Sequence, residues 1–210
     1  RNGPGNSPGT LTVDGNYTQA TSGALEIELV SGGGVAGADY DRLAVTGSAI
    51  LEGTLDLLID PEYVPVLGHA MPTVVSADAV SGIFDSVNNV VISGQLGLAV
   101  TYTESSVDVQ IARRGNTDVA KGDPDVDTGD LTKSIINFTS ASGSGKTWAE
   151  GDTDGDGDVD TGDLTTSIIN FTGAQIGNAN TVPEPGSLLL FLLGGLLVLV
   201  LRRRSNRKLT

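Results

Sequence analysis

The acidic segment from Asp152 to Asp163 constrains this chain more than any other part of its sequence. Oxygen-bearing side chains stand at positions 1, 3, 5, 9 and 12 of the segment, and Gly157 at position 6 permits a sharp turn. Ca²⁺ takes about six to eight oxygen ligands, and so many carboxylates repel one another unless a cation lies between them. We therefore predict a calcium site whose candidate ligands are the aspartates of this segment: Asp152, Asp154, Asp156, Asp158, Asp160 and Asp163.

The chain contains a second version of this segment. Residues 125–139 recur as 158–172 with a single difference, Lys133 against Thr166. The two loops align when residues 119–121 are treated as an insertion in the first one. The candidate calcium ligands of the first loop are then Asn116, Asp118, Asp123, Asp125, Asp127 and Asp130.

The first loop is predicted to be the weaker of the two sites. Pro124 occupies the position at which the second loop has Gly157, and the insertion bulges extra residues out of the loop. Because proline cannot adopt a positive φ, the first loop must turn differently. We expect it to bind calcium weakly or not at all.

Each loop runs into a short apolar segment, at 131–138 and at 164–171. Leu164, Ile168 and Phe171 recur at the spacing of one helical face, which predicts a helix. Two such loop–helix units resemble the type I dockerin domain, a module with paired EF-hand-like loops. The resemblance implies calcium as the cofactor and a cohesin-like or other surface protein as the partner. It also implies that the partner contacts loop positions 10 and 11 and the helix after them: Thr128, Gly129, Lys133, Thr161, Gly162 and Thr166.

Residues 1–112 predict a mainly β region. Apolar residues at 43–59 recur at odd-numbered positions, the period of half-buried strands. The patterns at 9–19 and 41–47 resemble the last coils and cap of autotransporter-type β-solenoids, with a β-sandwich as the alternative. The predicted fold is a β-solenoid end or sandwich, then a small α dockerin-like domain at 113–180 and a C-terminal transmembrane helix. We expect calcium to fold the dockerin-like domain and to leave the β region unaffected, because short helices rarely persist alone.

The sequence contains no evident catalytic constellation. His69 is the only histidine, so a Ser-His-Asp triad would need it, and we interpret it as structural. Four carboxylates that could form a glycosidase pair fall where solvated surface is the usual role: Asp39, Asp41, Asp56 and Asp60. We therefore predict no catalysis within this chain. The alternative is that the chain, which begins at Arg1 rather than Met, is the C-terminal part of a polysaccharide-degrading enzyme attached through its dockerin.

The composition of the chain argues against nucleic acid as a partner and against metal sites that use cysteine. The formal net charge of −14 argues against nucleic acid as a partner, because phosphate backbones are bound by basic surfaces. The absence of cysteine excludes disulfides and thiolate metal sites.

The tail at 181–210 combines three features in one order. An apolar segment at 186–201 follows a Pro-Glu-Pro sequence and precedes an arginine cluster, and the flanking residues are Pro183, Glu184, Pro185, Arg202, Arg203 and Arg204. The segment is at the short end for a helix that spans about 30 Å of bilayer, and the arginines should stay cytoplasmic. This order resembles the PEP-CTERM sorting signal, which a membrane protease, exosortase, processes. The resemblance implies export through a transient stop in the inner membrane to the cell surface or extracellular matrix.

Overall fold

The structure is a computed structural model that describes residues 8–67, 69, 72–142 and 145–173. All of these residues lie in one compact unit, Arg1–Ala174. The transmembrane helix predicted at 186–201 lies outside the described residues. Within the described part of the chain, no helix is both long enough and apolar enough to cross a membrane.

The described residues are mainly β, with two short helices after the last strand. Helix α1 spans Thr128–Ile136 and helix α2 spans Thr161–Ile169, each preceded by a 3₁₀ turn, at Val119–Lys121 and Trp148–Glu150. The strands are β1 (Thr10–Val13), β2 (Tyr17–Thr18), β3 (Ala24–Leu29), β4 (Arg42–Val45), β5 (Ser48–Leu51), β6 (Thr54–Ile59), β7 (Thr73–Ser76), β8 (Ala79–Gly82), β9 (Ser86–Asn88), β10 (Leu96–Tyr102) and β11 (Ser106–Arg113). The predictions of a mainly β region and of two following helices are confirmed.

The first nine strands form three parallel ladders, β1-β4-β7, β2-β5-β8 and β3-β6-β9. Leu43 of β4 pairs with Leu11 of β1 on one side and with Val75 of β7 on the other, each 32 positions away in sequence. Successive triplets of strands are therefore stacked in register. The antiparallel hairpin β10–β11 extends the first ladder beyond β7. Among the described residues, each sheet is open at its edges, and none closes into a barrel or a solenoid.

The core lies on the inward face of the ladders, and the alternating sequence pattern accounts for it. Leu25 pairs with Leu55 and Ile27 pairs with Leu57, and all four side chains are at most 1% exposed. Residues of equal parity in β3 and β6 thus stack on one another inside, while Glu26 points away from them on the opposite face. Full burial of each such aliphatic side chain contributes roughly 1.5–3 kcal/mol.

Two of the four candidate carboxylates of the β region are buried, contrary to the prediction that they are solvated. Asp41 is 4% exposed and accepts hydrogen bonds from the backbone N–H groups of Gly9 at 2.7 Å and Glu28 at 3.0 Å. Asp56 is 8% exposed and accepts a bond from the Asn88 side-chain amide at 2.6 Å. Buried carboxylates are retained where donors satisfy them. Both side chains therefore tie neighbouring chain segments together.

His69 has a structural partner. Its Nδ1 atom lies 2.7 Å from the hydroxyl of Tyr63, and the two rings stack with their centroids 5.8 Å apart. These contacts support the interpretation of His69 as a structural residue.

Candidate metal centre

The two loop–helix units begin their helices in the same way. Asp127 precedes α1 and Asp160 precedes α2, and each carboxylate accepts a hydrogen bond from a first-turn N–H group, of Gly129 at 2.6 Å and of Gly162 at 2.5 Å. Such caps satisfy helix N–H groups that have no partner within the helix. These two predicted metal ligands therefore also act as helix caps.

Each loop is tied to the end of the other unit's helix. Val126 donates its N–H to the Thr172 hydroxyl at 3.0 Å and accepts from the Thr172 N–H at 2.9 Å. Val159 makes the same two bonds with Thr139, at the same distances. Both valines are 0% exposed. This reciprocal pairing relates the two units by a pseudo-twofold axis and holds each loop against its neighbour.

The buried face of each helix is built from small and polar residues rather than from the apolar stripe that predicted the helices. Ser134 and Ser167 are 0% exposed, whereas Ile168 is 59% exposed. A Cβ atom on Gly151 would lie 3.0 Å from the Ser134 Cα, and one on Gly115 would lie 2.7 Å from the Ser167 Cα. Because the backbones approach this closely, only small side chains fit between them, and the isoleucines face outward.

The residues predicted to contact a partner lie at the surface. Thr128, Gly129, Lys133, Thr161 and Gly162 are exposed, and Thr166 is half-buried. The two units also carry exposed apolar side chains that were not predicted to form a surface, although the Ile-Ile-Asn-Phe sequence occurs in both. The large apolar side chains that are 42–76% exposed there are Ile135, Ile136, Phe138, Ile168, Ile169 and Phe171.

The second loop (152–163) brings its six aspartates into two groups. Within each group the carboxylates lie within 4.8 Å of one another, and the groups are Asp152, Asp154 and Asp156, and Asp158, Asp160 and Asp163. Asp152 at position 1 accepts hydrogen bonds from the N–H groups of Gly155 at 2.7 Å and Gly157 at 2.9 Å. Asp163 at position 12 accepts from the N–H groups of Thr153 at 2.8 Å and Asp160 at 3.0 Å. The first and last carboxylates therefore organise the loop backbone around themselves.

The backbone of the second loop needs its glycines. Gly157 has a φ of 90° and Gly155 a φ of 85°. Side chains other than glycine rarely adopt such left-handed conformations. The sharp turn predicted at position 6 is thus present.

Burial and mutual repulsion raise the pKa of aspartates in the second loop. Burial raises the pKa of Asp152 to about 7. Burial, with the neighbouring charge of Asp163, raises the pKa of Asp154 to about 6. The Oδ1 atoms of Asp154 and Asp158 are buried and have no hydrogen-bond partner among the described residues. A carboxylate held in this way is stabilised by a bound cation, and an all-oxygen donor set fits the hard ion Ca²⁺.

The first loop (116–130) satisfies several of its candidate ligands internally. The Asn116 amide donates to the Asp123 carbonyl oxygen at 2.6 Å. Lys121, within the inserted 3₁₀ turn, lies 3.8 Å from the Asp118 carboxylate. The Asp130 carboxylate accepts bonds from Thr117, just as Asp163 does from Thr153. Within the described part of the chain, three carboxylates close enough to share an ion occur only in the second loop.

Two further candidate ligands of the first loop have local roles. Asp123 accepts a hydrogen bond from the Asp125 N–H at 3.2 Å, the counterpart of the bond from the Asp158 N–H to Asp156 at 3.1 Å. The turns of the two loops are therefore alike at this point. They differ in the inserted residues before it, in Pro124 where the second loop has Gly157 with a positive φ, and in the charge at position 1.

The raised pKa values predict how the metal-free protein responds to pH. The pKa of an unfolded aspartate is about 3.8, so stability that depends on protonated Asp152 is complete below about pH 4 and is lost as pH rises towards 7. In metal-depleted buffer, Asp152→Asn is neutral at both pH 4 and pH 7, although its amide can accept only one of the two backbone bonds that Asp152 accepts. Relative to wild type, the variant is therefore expected to gain on the order of 2 kcal/mol of stability between pH 4 and pH 7. Urea unfolding at both pH values measures this difference, and an equal difference at the two pH values would contradict it.

Comparison with known proteins assigns the tail. A family model for the PEP-CTERM protein-sorting motif matches residues 181–204. No curated protein and no solved structure shows significant similarity to the chain. The matched residues, which include the Pro-Glu-Pro sequence and the arginines Arg202, Arg203 and Arg204, lie outside the described residues. The chain thus carries a PEP-CTERM sorting motif at 181–204, which indicates export to the cell surface and exosortase-dependent sorting.

Proposed function

We propose that this is an exported cell-surface or matrix protein whose second loop binds calcium and whose paired helices then hold a protein partner. The observation that carries the proposal is the two groups of three carboxylates in the second loop, with buried oxygens of Asp154 and Asp158 that have no hydrogen-bond partner among the described residues. A site of this charge density needs a cation to be compact. Calcium would be held by the second loop and would order the start of α2.

We further propose that the chain combines a β-solenoid end with a dockerin-like module. Support for the solenoid comes from the three parallel ladders, in which partners recur at a spacing of 30–32 residues. Such recurrence is typical of coils that stack along an axis. Support for the dockerin-like module comes from the pseudo-twofold pairing of Val126 and Val159 with the threonines that follow the opposite helices.

The partner is proposed to be a cohesin-like or other surface protein. The residues at loop positions 10 and 11 of both units are exposed, as a docking surface requires: Thr128, Gly129, Thr161 and Gly162. They lie on the same two helices as the exposed isoleucines and phenylalanines. An exposed apolar cluster next to polar residues is typical of protein–protein interfaces.

Calcium titration of single-residue variants tests the calcium site. Asp152→Ala is expected to weaken the tighter binding event about 100-fold, roughly 2.7 kcal/mol, because a ligand that also organises the loop is lost. Asn116→Ala is the matched change at position 1 of the first loop. It should change the affinity of the tighter binding event less than about threefold, because the Asn116 side chain is neutral and donates to the Asp123 carbonyl oxygen. Isothermal calorimetry on metal-depleted protein measures both. Two sites of equal affinity, or a larger loss from Asn116→Ala, would overturn the assignment.

A further inference from the structure

The second loop lies directly against the last strand of the third ladder. The Val87 N–H of β9 donates to the Gly155 carbonyl oxygen at 2.9 Å. A Cβ atom on Gly155 would lie 2.2 Å from the Val87 carbonyl oxygen, and one on Gly157 would lie 2.6 Å from the Asp85 carbonyl oxygen. The loop backbone thus meets the strand backbone with no side chain between them. It occupies the side of β9 that β6 does not pair with.

The same unit also holds the base of the β10–β11 hairpin. The Arg114 guanidinium donates from Nε to the Thr153 carbonyl oxygen at 3.2 Å. The Asn170 amide, at the end of α2, donates to the carbonyl oxygens of Gly94 at 3.1 Å and Arg114 at 3.0 Å. The contacts therefore come from both ends of the second unit, its loop and its helix.

A buried tryptophan completes the junction. Trp148, just before the second loop, is 4% exposed and donates its indole N–H to the Asn116 carbonyl oxygen at 2.6 Å. A Cβ atom on Gly97 of β10 would lie 2.7 Å from the Trp148 ring. The ring thus rests on the surface of the hairpin, so movement of the loop region would also expose β10.

We propose that the calcium-bound second loop covers the edge of β9. We also infer that the second loop, β9 and β10 unfold together as one unit. This inference rests on the proposed calcium site, and it replaces the expectation that calcium leaves the β region unaffected. An uncovered strand edge pairs readily with other chains, so natural sheets cover such edges. Without a cation, carboxylate repulsion loosens the loop and with it the backbone contact to β9. Calcium therefore controls whether this end of the ladders is covered.

We expect calcium to slow amide hydrogen exchange by the same factor in the second loop and in strands β9 and β10. If β9, β10 and the second loop open as one unit, calcium at about 100 times its dissociation constant slows amide exchange about 100-fold throughout that unit. Hydrogen exchange of the full chain, measured by mass spectrometry with and without calcium, reads segments 86–100 and 151–163 separately. Slowing at 151–163 alone would overturn the cap and leave the calcium site standing. No slowing at either segment would instead overturn the calcium site itself.

A matched pair of variants isolates the junction. Asn170→Ala removes the amide that bonds to the carbonyl oxygens of Gly94 and Arg114. Asn137→Ala changes the equivalent residue of the first unit, whose amide donates to the Lys133 carbonyl oxygen and whose Oδ1 accepts from Lys146. Lys146 keeps its bond to Glu150 in that variant. Asn170→Ala is expected to reduce the calcium-induced slowing at 86–100 about tenfold while the slowing at 151–163 persists. Asn137→Ala should leave both segments as in wild type. An equal response of 86–100 to the two variants would contradict the proposal, and the wild-type exchange result decides it if Asn170→Ala does not fold.

Discussion

Calcium is expected to raise the free energy of unfolding of this protein by about 3–4 kcal/mol between metal-depleted buffer and calcium at several hundred times its dissociation constant. The physical reason is the second loop, where burial raises the pKa of Asp152 and Asp154 and six carboxylates lie in two tight groups. An ion that binds only the folded loop stabilises the folded state by mass action. Thermal unfolding followed by circular dichroism should show a shift of roughly 10 °C.

Two controls test whether the stabilisation is specific to Ca²⁺ and to the second loop. Mg²⁺ at the same concentration should shift the transition less, because it demands a regular octahedral geometry and gives up its waters reluctantly. Asp152→Ala should lose most of the response to Ca²⁺, while Asn116→Ala should keep it. Unfolding curves of the wild-type protein that coincide with and without calcium would rule out a calcium site of structural importance.

Replacement of Pro183, Glu184 and Pro185 by alanine is expected to abolish release of the protein to the cell surface. The PEP-CTERM motif matches 181–204 and indicates exosortase-dependent sorting. Proline disfavours a helical conformation in the residue before it, and an extended chain is the form that a protease accepts. The uncut protein should then remain in the membrane fraction, since the apolar segment and the arginine cluster would hold it there.

Fractionation with mass spectrometry measures this effect. In wild type, the surface fraction should contain protein that ends near Glu184, and nearly all of the alanine variant should instead be recovered uncut from the membrane fraction. Alanine at Asn178 and Asn180, upstream in the same tail, is the matched control and should leave processing unchanged. Recovery of the peptide that follows Arg204 from wild-type surface protein would show that the tail is a stable anchor.

Features that depend on neighbours along the chain could be predicted from the sequence. Period-two alternation predicted the buried faces of β4 and β5, because a strand turns successive side chains to opposite faces. The glycine at position 6 predicted the left-handed turn at Gly157, because other residues are strained there. The order of Pro-Glu-Pro, apolar segment and arginines was enough to identify the sorting motif.

Features that depend on contacts between distant segments came only from the tertiary structure. The stripe of Leu164, Ile168 and Phe171 predicted a helix, but the close approach of Gly115 decided that Ser167 faces inward and Ile168 faces solvent. Likewise, no local pattern could show that Gly155 meets Val87, because that contact depends on how the ladders end. The sequence by itself therefore determined the elements and the acidic loop. The tertiary structure decided which faces are buried and what the loop covers, because packing depends on the shapes of surfaces that are far apart in the chain.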